Sequence, residues 1–224
     1  MTNDLIKDII QWDTTNWGKL LPIWDDELKN RTGKAIAFGE REGGLSLYLA
    51  KKGFDVTCSD FNDFPSELPL EIHKKHKVDG EITYSKEDIT KISSEDNSFD
   101  VVVFKSVIGA LGDFNQQAEA LKEIHRILKP GGVLLFAENT KSSKLHQFAR
   151  KKFTNWGHRW YYPSLSEFNK MNFPFNSFEF KTVGFLGTFG RSEKQRIILG
   201  KIDSVIERMV PKSWRYILIG KSIK

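Results

Sequence analysis

The chain has 224 residues, of which 39% are hydrophobic and 28% charged, and carries a net charge of +5 at pH 7. That length suits one domain with a large core. No run of about eighteen apolar residues occurs, so no transmembrane helix is expected, and Met1–Asp8 lacks the basic start and apolar centre of a secretory signal. The single cysteine, Cys58, excludes an internal disulfide. A cytoplasmic setting follows as the expectation. The mild positive charge permits an anionic substrate, a membrane surface or nucleic acid and selects none of them.

Residues 4–30 have a helical pattern, with Leu5, Ile6, Ile9, Ile10, Leu20, Leu21, Ile23, Trp24 and Leu28 as apolar positions and Pro22 as the expected break. Trp12, Trp17 and Trp24 either pack this segment onto the core or form a lid over a ligand. Residues 34–39 form a short buried strand. The helix after Gly43 ends at Lys51-Lys52-Gly53, which is good stop chemistry. Residues 54–59 form a second strand that ends at Asp60. A turn at Pro65 and Pro69 precedes a helix through Lys77, and residues 80–85 form a third strand. Phe99–Phe104 is a β-branched run suited to the centre of a sheet.

A helix over 114–128 places Ala118, Leu121, Ile124, Ile127 and Leu128 on one face. Pro130-Gly131-Gly132 turns the chain into a strand at Val133–Ala137, ending at Glu138-Asn139. A basic helix covers roughly 142–153 and a short one 163–171. Residues 177–189 and 214–220 are strand-like and can pair, with an amphipathic helix near 193–209 between them. Strands alternating with helices imply a parallel sheet covered on both faces.

The stretch 35–60 reads as strand, glycine turn, helix, strand and acid. Gly39 and Gly43 let the backbone turn sharply and let a ligand approach. Asp60, about twenty residues on, is where a carboxylate meets ribose hydroxyls. A nicotinamide-binding domain is the rival within this pattern, but Arg41 stands where a pyrophosphate needs glycine.

Together with Asp88-Ile89, Phe99-Asp100-Val101-Val102 and the helix end Ile124–Leu128 running into Lys129-Pro130-Gly131-Gly132, this stretch resembles the class I S-adenosylmethionine-dependent methyltransferases over about residues 33–140. The resemblance implies a Rossmann-like, doubly wound α/β fold. Its seven-stranded sheet is mostly parallel, with an antiparallel last strand and helices on both faces. It also implies a helical cap over 1–32 and one domain over 33–224 with an insertion near 188–213. Bound S-adenosyl-L-methionine is implied at Gly39, Arg41, Gly43, Asp60, Phe61, Asp88, Ile89 and Ser106.

Two departures stand out. Ala37 replaces the usual acid before the first glycine, and Arg41 replaces the middle glycine. A guanidinium pairs well with a carboxylate, so Arg41 is expected to hold the methionine carboxylate; the opposing reading is a site that has lost its cofactor.

The implied reaction is in-line methyl transfer, by alignment, to a small-molecule or saccharide acceptor of anionic character, at oxygen. Glu138 and His158 are the candidate bases. Lys105, Trp160 and Tyr161 are candidate substrate contacts. His73, His76 and His146 lack metal spacing, and no metal is expected.

The segment 141–160 carries Lys141, Lys144, Arg150, Lys151, Lys152 and Arg159 with no acid. It is either a solvated basic face or a dock for an acidic substrate, an anionic membrane or RNA, with Trp156, Trp160 and Tyr161 interleaved. An RNA methyltransferase and a non-catalytic binding protein are the alternative functions.

Overall fold

A computed structural model describes residues 1–62, 67–78, 82–154 and 159–224. In chain order the elements are α1 (Asn3–Ile10), α2 (Thr14–Trp17), α3 (Leu20–Leu28), β1 (Lys34–Phe38), α4 (Gly44–Lys51), β2 (Asp55–Asp60) and α5 (Glu67–His76). They continue with β3 (Ile82–Lys86), β4 (Phe99–Lys105), α6 (Phe114–Ile127), β5 (Leu128–Asn139), α7 (Lys144–Phe153), α8 (Leu165–Met171), β6 (Ser177–Val183), α9 (Glu193–Ile206) and β7 (Ile217–Ile223). The strands form one sheet in the order β3-β2-β1-β4-β5-β7-β6. β1 to β5 pair in parallel, and β7 runs antiparallel to both β5 and β6. This is the expected mostly parallel sheet with a reversed last strand.

Side chains alternate between the faces of a strand, and the alternation assigns the two halves of the core. Ala35, Ala37, Val101, Val103, Val133, Leu135 and Ala137 pack beneath α1, α3 and α4. Ile36, Phe38, Val102, Phe104, Leu134 and Phe136 pack with α6 and Phe168 of α8. The N-terminal helices share the first of these clusters through Ile9, Ile10, Trp17, Leu20, Leu21, Trp24 and Leu28. Residue 105 continues the odd-numbered set of β4, so its side chain emerges beneath the N-terminal helices.

Two boundaries differ from the sequence expectation. Pro22 does not break the N-terminal helix; it lies in the first turn of α3, where an intrahelical N–H donor is not needed. The breaks fall instead at Gln11 and Asp13, both with positive φ, and at Gly18–Lys19. The Pro130-Gly131-Gly132 segment is an irregularity within the long strand β5, with a register shift opposite Phe99/Val101. There the chain end holds it, because Gly131 N–H donates to Lys224 O and Lys224 N–H to Gly132 O. Pro65, Gly80, Glu81, Trp156 and His158 lie outside the described residues.

Candidate active site

A cavity of about 1470 Å³ opens at the carboxyl ends of β1, β2, β3 and β4, the usual ligand position in an open α/β sheet. The glycine turn forms its first wall. Gly39 and Gly43 both have left-handed φ, +71° and +73°. A Cβ on Gly39 would lie 2.4 Å from Val107, and one on Gly43 would lie 2.7 Å from Pro69. No other residue fits this turn, for both steric and conformational reasons. Between them, Glu40 is buried and caps α4. Its carboxylate accepts from Leu45 N–H (3.3 Å), Ser46 N–H (2.7 Å) and the Ser46 hydroxyl (2.6 Å). Burial pushes its pKa up, against those hydrogen bonds. His73 of α5 braces the turn from behind, its Nε2 lying 2.9 Å from Gly43 O.

Next along the wall, Asp60 ends β2 and lines the cavity, its Oδ1 accepting from the Asn62 N–H (3.0 Å) and side-chain amide (2.9 Å). Phe61 beside it is exposed. Asp88, Ile89 and Ser106 line the same cavity. Asp88 Oδ1 accepts from Thr90 N–H (2.9 Å) and Thr90 Oγ1 (2.7 Å), and Ser106 Oγ accepts from Asn139 Nδ2 (2.9 Å). Of the residues expected to hold the cofactor, Gly39, Arg41, Asp60, Phe61, Asp88, Ile89 and Ser106 line this one cavity, and Gly43 closes the turn without lining it. Arg41 differs within the set. It is at the rim, its side chain 76% exposed and paired with Glu42 at 3.0 Å.

Lys105, at the end of β4, also lines the cavity. Its Nζ lies 3.0 Å from the Trp12 ring centroid and 5.2 Å from that of Trp17. It has no hydrogen-bond acceptor among the described residues. Burial drives its pKa down to about 7, opposed by Glu40, Glu42, Glu138 and Asp13. The aromatic faces attract the cation but supply no directed acceptor.

Of the two candidate bases, His158 lies outside the described residues. Glu138 is fully buried and does not line the cavity. Its carboxylate accepts from Val107 N–H (2.8 Å), Gly109 N–H (3.4 Å) and Asn139 N–H (2.7 Å), and burial raises its pKa to about 7. These bonds tie Glu138 to the loop after β4.

Of the candidate substrate contacts, Trp160 lines the cavity. Tyr161 does not. Its hydroxyl donates to Glu167 at the start of α8, and its backbone N–H bonds Gly109 O. The residue on the cavity side is Tyr162, 6.2 Å from the Trp160 ring. Nothing in the sequence distinguishes which of the two adjacent tyrosines lines the cavity with Trp160.

The far wall draws on the basic segment 141–160. Arg150 of α7 is buried there, its guanidinium 4.0 Å above the Tyr162 ring and its Nη1 donating to Thr140 O (2.6 Å). Its Nη2 has no acceptor among the described residues, and burial lowers its pKa. His146 lies alongside with both ring nitrogens engaged, by Ser143 Oγ (2.7 Å) and Phe185 O (2.8 Å), so it is no free base. Leu145, Phe148, Phe153 and Phe189 complete an apolar rim. No group of three or more candidate metal ligands occurs among the described residues.

Residues 36–136 match the family model described as "Methyltransferase domain". The chain is 36% identical over 96 residues to a demethylmenaquinone methyltransferase of Leptospira interrogans, covering 42% of this chain and 37% of that protein. It is 28% identical over 130 residues to a ubiquinone biosynthesis O-methyltransferase of Pseudomonas syringae, covering 56% and 53%. The chain thus spans about half the length, or less, of these curated relatives. In fold it is similar to a Haemonchus contortus phosphoethanolamine N-methyltransferase 2 solved with phosphomonomethylethanolamine and S-adenosylhomocysteine, with a TM-score of 0.65 at 19% identity, covering 93% of this chain and 52% of that one.

Proposed function

Because residues 36–136 match the methyltransferase-domain family model, we propose that this chain is a class I S-adenosylmethionine-dependent methyltransferase that transfers a methyl group to a small, largely apolar acceptor at oxygen. The observation that carries this reading is that three features open into one cavity. They are the Gly39–Gly43 turn, the Asp60 carboxylate and the unpartnered Lys105 ammonium. These suit a ligand that combines a ribose diol with a carboxylate.

When bound, S-adenosylmethionine supplies an electrophilic methyl group on a sulfonium. The chain's own residues then align and desolvate. Asp60, oriented by Asn62, would accept from the ribose hydroxyls. Asp88 and Ile89 would hold the adenine. Lys105, rather than the exposed Arg41, would pair with the methionine carboxylate. Glu138 holds the loop of residues 107–109 in place. Trp160, Tyr162 and the phenylalanine rim hold the acceptor and keep water out, so that its oxygen meets the methyl group in line. His158 takes the acceptor proton. The aromatic walls and the two relatives named for quinone biosynthesis favour a ring-bearing small molecule over a saccharide.

Calorimetry with S-adenosylhomocysteine tests the reading. Binding is expected, and Asp60→Ala weakens it by about tenfold or more, the cost of losing charge-assisted hydrogen bonds. Absence of binding by both S-adenosylmethionine and S-adenosylhomocysteine at roughly millimolar concentration, where about 4 kcal/mol of affinity is still detected, would refute it. His158→Ala is expected to lower kcat and leave S-adenosylhomocysteine binding intact.

A further inference from the structure

The helix α9 and the turn after it carry a feature that the cavity does not use. Ile198, Ile202, Val205 and Met209 recur at helical spacing on one side of this segment and are all exposed, Val205 and Met209 by more than four-fifths. Single exposed apolar residues are ordinary; a continuous stripe of four is not. Trp214, half exposed and stacked on Phe185, extends the apolar surface beyond the helix.

The charges of the segment are sorted by sign. Every acid on it faces inward and is engaged. Glu193 accepts from the Asp13 and Thr14 N–H groups at 2.8 and 2.9 Å. Asp203 is buried and accepts from the Leu186 and Gly187 N–H groups at 2.7 and 2.9 Å. Glu207 pairs with Lys19 at 2.8 Å and with Arg215 at 3.7 Å. The exposed charges are Lys194, Lys201 and Arg208 along α9 and its end, and Lys212 before Trp214. An apolar stripe with a basic margin and no exposed acid is the pattern of a helix lying in the interface of an anionic bilayer.

The neighbouring elements continue it. Trp214 O accepts from Ser142 Oγ, just before α7. On α7, Leu145, Phe148 and Phe153 are exposed beside Lys144, Lys151 and Lys152. The same three apolar side chains line the cavity rim. No helix among the described residues is long and apolar enough to cross a membrane, so attachment would be peripheral.

We propose that α9, the Lys212–Trp214 turn and the exposed side of α7 form a docking surface for an anionic lipid bilayer, with the cavity mouth at its edge. A second copy of this chain suits the surface less well, because a two-fold contact would oppose two identical basic margins. The inference stands apart from the methyl-transfer reading, because it needs only the surface.

Flotation of the full chain with vesicles tests it. The chain is expected to float with vesicles about one-third phosphatidylglycerol, at least about tenfold more than with pure phosphatidylcholine, and about 0.5 M salt should release most of it. Val205→Glu with Met209→Glu, at exposed positions, should abolish flotation while leaving the circular dichroism and S-adenosylhomocysteine affinity unchanged. Trp214 emission should shift to the blue on vesicle addition. The proposal is overturned if anionic vesicles do not bind, if the double variant binds equally well, or if sedimentation reveals a dimer that the same double variant dissolves.

Discussion

Lys105 shows how one side chain's place in an alternating strand decides its chemistry. It follows Val101 and Val103 on the same face of β4, so it emerges beneath the N-terminal helices, against Trp12 and Trp17. Its pKa falls from 10.5 to about 7, chiefly by burial. The folded state therefore releases this proton more readily than the unfolded chain does. Lys105 contributes stability that is fully present above pH 10.5 and is lost as pH falls through about 7. Lys105→Met should remove that rise on the alkaline side, a difference of several kcal/mol at about 1.4 kcal/mol per pKa unit. Urea titrations of both proteins at pH 7 and pH 9.5 check this. The same variant should weaken S-adenosylhomocysteine about tenfold or more if the lysine holds the carboxylate, whereas Arg41→Ala should change it little.

Between elements, a buried polar network ties the N-terminal helices to the C-terminal half. Asn16 Nδ2 of α2 donates to Asp203 Oδ2 of α9 (2.9 Å) and to the Tyr216 hydroxyl (3.0 Å), which in turn donates to Asp13. Close packing accompanies it, since a Cβ on Gly200 would lie 2.8 Å from Thr15. Tyr216→Phe leaves Asn16 and Asp13 without their shared partner and should cost about 1–3 kcal/mol, read as a lower urea midpoint. Asp13 adds a pH signature. Burial raises its pKa from 3.8 to about 7. Its contribution is full below pH 3.8 and is lost as pH rises through about 7. Asp13→Asn should flatten the fall in stability between pH 4 and 7, and a smaller slope should persist because burial raises Glu138 in the same direction. Neither end of this network could be paired from sequence, because Asn16 and Asp203 are far apart in the chain and no periodicity links them.

At the scale of the whole molecule, the half of the site over β1, β2 and β3 was legible and the other half was not. Gly39, Gly43, Asp60 and Asp88 stand at strand ends, where hydrophobic runs and turn residues mark the boundaries. The acceptor half is assembled from α1, α2, α7, Trp160, Tyr162, the turn near Phe189 and Tyr216, segments that only the tertiary fold brings together. Arg150 illustrates the limit, since one buried guanidinium in a run of exposed lysines has no sequence mark. Because the cavity is walled by Ile9, Trp12 and Trp17 as well as by strand ends, ligand binding and cap closure should be one equilibrium. S-adenosylhomocysteine at about one hundred times its dissociation constant should stabilise the chain by about 2.7 kcal/mol. That amounts to a rise in Tm of roughly 5–10 °C for a domain of this size. Hydrogen exchange should slow in α1 and α2 as well as at the glycine turn. Protection confined to the glycine turn, with α1 and α2 unchanged, would mean that the cap closes independently of the cofactor half.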